Sequence, residues 1–215
     1  MSEEVSSGFC IIEDKNDHVW YGGPSGLFLI DKKKANARPE KISPLRIFNL
    51  VQFNDSILWA GTRKGSMFQI NTRTLKVTSL PILPHTDLYV TYIYPDSHQR
   101  IWIGTDNNGL YVSDRNGSII ASYSKEQLGS NAIKGIIEDE MNNIWVGTGS
   151  GLCCINPQME NIDRYTTADG LPINQFNYSS ACKKPDGELY FGTINGMILF
   201  IRNRYAPSIL ISTLP

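Results

Sequence analysis

Histidine, the commonest general base and a frequent metal ligand, occurs three times in these 215 residues, as His18, His85 and His98. His18 and His98 each lie a few residues before a tryptophan in well-separated segments, and neither belongs to an H-x-x-x-H or a mixed His/Cys metal spacing. Asp14, Asp96, Asp139 and Asp186 recur in comparable settings along the chain. Acids repeated in this way point to turn chemistry, in which a carboxylate bonds local backbone, rather than to a general acid–base pair. Gly147-Thr148-Gly149-Ser150-Gly151 has the glycines of a phosphate cradle but lacks the lysine and the following helix that such a loop requires. The four cysteines, Cys10, Cys153, Cys154 and Cys182, form no C-x-x-C pair and are too few for a disulfide scaffold. They read as structural thiols, with Cys153 and Cys154 pointing to opposite faces of one strand. Neither catalysis, nor a metal, nor any cofactor is expected of this chain.

The residues that do stand out repeat. Val19-Trp20-Tyr21-Gly22-Gly23, Leu58-Trp59-Ala60-Gly61-Thr62, Ile101-Trp102-Ile103-Gly104-Thr105, Ile144-Trp145-Val146-Gly147-Thr148 and Leu189-Tyr190-Phe191-Gly192-Thr193 align in register, with anchors Trp20, Trp59, Trp102, Trp145 and Tyr190. The steps between anchors are 39, 43, 43 and 45 residues, and the anchors take up all four tryptophans of the protein. Upstream of each anchor lies an apolar stretch ending in turn residues. Downstream come a glycine-closed tight turn, a third apolar strand and a more polar fourth one. Four strands in about 40–45 residues is the signature of a β-propeller blade. The fold class is therefore all-β, a propeller of four-stranded antiparallel blades. Five repeats fill residues 1–205, and residues 206–215 form either the outer strand of the last blade or the start of a following β-sandwich.

Recurring residues have mechanical roles in such a fold. The anchor aromatic fills the space between neighbouring sheets, the glycine after it lets the adjacent blade approach closely, and the threonine bonds nearby backbone where the chain turns. Blade packing, rather than a row of sugar-stacking rings, is the expected role of the tryptophans, because a core repeats whereas a binding site breaks symmetry.

The run from Asp139 to Leu152 (Asp-Glu-Met-Asn-Asn-Ile-Trp-Val-Gly-Thr-Gly-Ser-Gly-Leu) resembles the two-component regulator propeller repeat, as does Asp96 through Leu110. Asp169-Gly170-Leu171-Pro172-Ile173-Asn174-Gln175-Phe176-Asn177-Tyr178, with Gly187 through Gly196, is similar to the last blade of the sensor ectodomain in Bacteroides-type hybrid two-component histidine kinases. That resemblance implies a non-catalytic sensory module of a membrane-anchored receptor, located in the periplasm, with a glycan-derived oligosaccharide as its ligand and the kinase elsewhere in a longer chain. It also implies seven-bladed rings followed by a β-sandwich, whose opening strand Ala206–Ile211 resembles. The chain departs from the pattern in having Gly23 where threonine is usual and an extra residue in the turn Asp106-Asn107-Asn108.

Composition narrows the alternatives. Hydrophobic residues make up 41% and charged residues 19%, which excludes a disordered chain. Twenty basic against 21 acidic residues give a net charge of −1, so no global field draws in nucleic acid or anionic lipid. Apolar runs such as Met197–Ile201 are far shorter than a membrane span, and the acidic start Met1-Ser2-Glu3-Glu4 lacks a signal-peptide pattern. A cytosolic protein–protein scaffold of the WD-repeat type is the alternative reading. A propeller glycosidase or lyase is the weakest.

Propeller ligands usually meet the loops that converge at one end of the axis, a fold-level argument. Those loops place Arg63, Lys64, Tyr89, Asp106, Asn107, Asn131, Asn174, Gln175 and Asn177 as candidate ligand-binding residues, since amides, charges and an aromatic offer donors, acceptors and a stacking face to a polyhydroxylated ligand. Closure is expected to be incomplete. Residues 1–7 make a poor strand, so an open arc capped by further blades of the same receptor, by other domains or by a second copy is favoured over a closed five-blade ring.

Overall fold

The computed structural model describes residues 9–62, 65–80, 88–202 and 209–214. Of the sites named above, Arg63, Lys64 and His85 lie outside the described residues. The described chain forms five antiparallel sheets, each built from four consecutive strands. Blade 1 comprises β1 (Cys10–Glu13), β2 (His18–Gly23), β3 (Gly26–Asp31) and β4 (Glu40–Ser43). Blade 2 comprises β5 (Ile47–Asn54), β6 (Ile57–Thr62), β7 (Met67–Asn71) and β8 (Val77–Ser79). Blade 3 comprises β9 (Val90–Pro95), β10 (Ile101–Thr105), β11 (Leu110–Ser113) and β12 (Ile119–Tyr123). A short helix, α1 (Lys125–Leu128), precedes blade 4, which comprises β13 (Ile133–Glu138), β14 (Ile144–Thr148), β15 (Gly151–Ile155) and β16 (Ile162–Tyr165). A 3-10 turn (Thr167–Asp169) leads to blade 5, with β17 (Phe176–Lys183), β18 (Leu189–Thr193), β19 (Gly196–Arg202) and β20 (Ile209–Leu214), the last pairing antiparallel to β19.

Strand alternation explains why the anchors repeat. Each tryptophan faces the following blade, while its two neighbours on the strand face the preceding one. Trp20 packs with Leu58 and Ala60, Trp59 with Ile101 and Ile103, Trp102 with Ile144 and Val146, and Trp145 with Leu189 and Phe191. All four tryptophans are at most 1% exposed. The described residues thus form four apolar layers between five blades, one at each successive junction, and none of these layers joins blade 5 to blade 1. A closed five-blade ring would need a fifth layer, which is not among those formed by the described residues. Cys153 and Cys154 follow the same alternation, one in the layer shared with blade 3 and the other in the layer shared with blade 5.

The turn before each anchor strand is fixed by an acid six residues upstream. Asp14, Asp96 and Asp139 each accept a hydrogen bond from the indole Nε1 of Trp20, Trp102 and Trp145, at 2.8 Å in all three cases. They also accept from backbone N–H groups of their own turns, as Asp96 does from His98 and Arg100. Asp14 further meets the Nδ1 of His18 at 3.1 Å, which makes that histidine a partner of the turn acid. Burial pushes the Asp14 carboxyl up, but the Trp20 indole and the turn N–H groups outweigh it and hold the pKa below the ordinary aspartate value. Asp186 sits four residues before Tyr190, not six, and accepts only from the Glu188 N–H among the bonds seen.

Blade 2 breaks this pattern. Phe53 occupies the position of the acid, its ring 6.1 Å from that of Trp59, and the buried Trp59 Nε1 has no hydrogen-bond partner. A test follows. Trp59→Phe is expected to cost less stability than Trp102→Phe, by about 1–3 kcal/mol, because only the second substitution strips a partner from a buried carboxylate. Denaturant melts of the two variants check it, and equal losses would show that the Asp96–Trp102 bond contributes nothing.

The threonines and glycines behave as their positions require. Thr105, Thr148 and Thr193 each donate their hydroxyl across the tight turn to a glycine carbonyl, at 2.7, 2.9 and 3.0 Å. Gly109 and Gly151 close their turns at positive φ, 79° and 135°.

Candidate functional site: an axial pocket

The first strands β1, β5, β9, β13 and β17 are the innermost of their blades. Where four of the blades converge, a pocket of about 400 Å³ opens, lined by Phe9, Phe48, Tyr89, Thr91, Asp106 and Tyr178 among others. Phe9 and Phe48 stack with centroids 4.5 Å apart and planes 13° apart, tying blade 1 to blade 2. Phe9 and Tyr178 are each about half exposed, so the pocket offers two accessible aromatic faces.

Tyr178 reaches this place through an irregularity. In β17 the ladder jumps from Phe176–Thr193 to Ala181–Phe191, leaving residues 177–180 as a wide bulge. The bulge is held by the Asn177 side-chain amide, which donates to the Thr193 carbonyl at 2.8 Å, and by the Ser180 hydroxyl, which donates to the Asn177 carbonyl at 2.7 Å. Ser179 takes a positive φ of 54° at its crest. The Tyr178 side chain is thereby delivered to blade 3, where its hydroxyl donates to Asp106 Oδ1.

Lys134 of blade 4 completes the group. Its Nζ lies 3.4 Å from the Tyr178 ring centroid and 3.7 Å from Asp106 Oδ1. Partial burial, the hydrogen bond to Asp106 and the charge of that carboxylate push the Tyr178 phenol up to about 12, which keeps it a neutral donor. Burial pulls the Lys134 ammonium below its usual value against the opposing pull of Asp106. The pocket therefore presents aromatic faces, one carboxylate balanced by one ammonium, and hydroxyl groups. This chemistry suits a polar ligand with apolar C–H faces.

Of the residues singled out from the sequence, Tyr89 and Asp106 line this pocket, and the Asp106 N–H donates to the Tyr89 carbonyl at 3.0 Å. Asn131 borders the same loop, its backbone carbonyl accepting from Gly109 N–H, and its buried Oδ1 has no hydrogen-bond partner. Asn107 is exposed in the turn beside Asp106. Asn174 is committed elsewhere, its Oδ1 accepting from the Thr167 N–H at 2.8 Å. Gln175 is exposed, and the Asn177 amide is spent on the bulge. Phe9, Phe48, Lys134 and Tyr178 were not anticipated. The 45-residue step to Tyr190 was the available signal for the last of these, since the extra residues of that repeat are the ones that bulge.

The repeats also identify relatives. The family model described as the two component regulator propeller matches residues 85–107 and 127–150. Histidine kinase P4 of Formosa agariphila is 24% identical over 92% of this chain and 19% of its own length. Among solved structures, the extracellular domain of a hybrid two component system from B. thetaiotaomicron covers 95% of the chain at 23% identity and a TM-score of 0.77, over 28% of that domain's chain. A catalytically inactive virginiamycin B lyase from Staphylococcus aureus, solved with quinupristin, matches 99% of this chain and 72% of its own at 15% identity, again with a TM-score of 0.77. At these identities the structural likenesses show the propeller fold. The chain spans about a fifth of the kinase and under a third of the extracellular domain. Among the described residues, no helix is long and apolar enough to cross a membrane.

Proposed function

We propose that this chain is part of the periplasmic sensory propeller of a membrane-anchored two-component receptor, that it has no catalysis of its own, and that its axial pocket binds a glycan-derived ligand. The observation that carries the reading is the convergence of Phe9, Tyr89, Asp106 and Tyr178, brought from three blades, on one pocket at the axis. Aromatic faces stack on the C–H faces of a sugar ring, while the Asp106 carboxylate accepts from its hydroxyls. The two-component repeats favour a receptor over a WD-repeat scaffold.

Calorimetric titration of a panel of oligosaccharides against the protein tests the site. Tyr178→Ala and Asp106→Asn are each expected to weaken binding at least about tenfold, roughly 1.4 kcal/mol. Binding that survives both substitutions unchanged would remove the ligand from this pocket. Hydrolysis of a glycan by the purified protein, abolished by one acidic substitution, would overturn the non-catalytic assignment.

A further inference from the structure

Seen from inside, the axial pocket is not electrically neutral. Among its described lining residues Asp106 is the one that carries a charge, and its side chain is 44% exposed. Lys134, which balances that carboxylate, is only 15% exposed and is not part of the described lining. Its ammonium lies against the Tyr178 ring, 3.4 Å from the centroid, and meets Asp106 at Oδ1. Tyr178 donates its hydroxyl to that same oxygen. The other carboxylate oxygen, Oδ2, accepts no hydrogen bond among the described residues.

Aromatic rings stand around this carboxylate. Phe9, Phe48, Tyr89 and Tyr178 all line the pocket, and Phe9 and Tyr178 are each about half exposed. The face of an aromatic ring is the negative end of its quadrupole, so it attracts a cation as well as the C–H bonds of a sugar. The chain itself displays this preference, because the one ammonium it brings to the place rests on the Tyr178 ring beside Asp106. A ring has two faces and a carboxylate two oxygens, and Lys134 uses one of each.

Given a saccharide ligand in the axial pocket, as proposed, we infer that it is an amino sugar with a free ammonium group, which binds Asp106 Oδ2 while the C–H face of its ring lies on the pocket aromatics. A hydrogen bond from an ammonium to a carboxylate is roughly twice as strong as one between neutral groups. A basic sugar therefore gains over its neutral analogue at this one contact. A uronic acid would set a second carboxylate against Asp106 and against the ring faces, a like-charge arrangement that disfavours it. The volume of about 400 Å³ falls within the usual range for small-ligand sites. With a net charge of −1, the chain has no global field to hold a cationic oligomer elsewhere on its surface.

Calorimetric titration of the 215-residue chain with four hexasaccharides tests this. They are the β-1,4-linked glucosamine hexamer, its fully N-acetylated form, cellohexaose, which has hydroxyls in place of the ammonium groups, and hexagalacturonate. At about pH 6, where the amine is protonated, the glucosamine hexamer is expected to bind at least about tenfold more tightly than each of the others. Asp106→Asn should cut its advantage over cellohexaose to less than about threefold. Lys134→Met, which removes the competing ammonium and uncovers the second face of Tyr178, should tighten binding of the glucosamine hexamer and leave that of cellohexaose within about twofold. Cellohexaose or hexagalacturonate binding as tightly as the glucosamine hexamer would overturn the amino-sugar assignment and leave the saccharide reading in place. So would an advantage that survives Asp106→Asn unchanged, which would move the ammonium to another contact. Binding of none of the four overturns the assignment as well, and the wider oligosaccharide panel then decides the saccharide reading separately.

Discussion

Trp102→Ala lowers the free energy of unfolding by about 3–5 kcal/mol, the range for deleting a fully buried aromatic from a packed core. Trp102 is fully buried, stacks on Tyr123 at 6.2 Å with planes 6° apart, and shares its layer with Leu110, Ile144 and Val146. The loss falls on the junction of blades 3 and 4, the middle of the arc, where neither sheet can close the cavity without pulling away from its other neighbour. Urea unfolding followed by tryptophan fluorescence and circular dichroism measures it. An unchanged midpoint at unchanged slope would mean that the anchors do not hold the blades together.

Asp96→Ala should cost a comparable amount, about 3–5 kcal/mol, by breaking a buried charge pair and leaving donors unmatched. The Asp96 side chain is fully buried and accepts four hydrogen bonds: from the backbone of His98 and of Arg100, from Arg100 Nε at 2.5 Å and from Trp102 Nε1 at 2.8 Å. Removing it leaves the Arg100 guanidinium, whose side chain is only 13% exposed, without its carboxylate, held by the Pro157 carbonyl and the Trp102 ring. Because Asp96 and Trp102 are in contact, the double variant should lose less than the sum of the two single losses. A strictly additive double-mutant cycle would show that the acid acts on its turn alone, independently of the anchor.

Much of this was legible from the order of the residues. The five registered W-x-G-T-like segments specify blade number, strand order and the burial of the anchors, because a repeat that cannot bury its own apolar faces must stack on its neighbours. The sequence also showed that the acids belong to turns. It did not show that three of them reach the anchor indole, since a six-residue separation has no meaning until the turn has folded the carboxylate back over the strand. Phe53 illustrates the point: in sequence it is one more apolar residue, and only the fold reveals that it replaces an acid and leaves the Trp59 Nε1 without a partner.

The site was legible only in part. Tyr89 and Asp106 could be named because the loops that meet at a propeller axis can be recognised from strand order. Asn174 and Asn177 look equally suited to a ligand, but their amides are used by local backbone, and sequence cannot tell a free amide from a committed one. Tyr178 meets Asp106 from 72 positions away, and Lys134 from a third blade lies against both. The sequence by itself determined the repeating part of this protein, because local pattern dictates strands and alternation dictates which faces pack. Only the tertiary structure decided what breaks the repeat: the bulge that carries Tyr178 to the axis and, among the described residues, four apolar layers with none between blades 5 and 1. Both depend on which surfaces the arc brings together, and that is a property of how five sheets stack, not of any one of them.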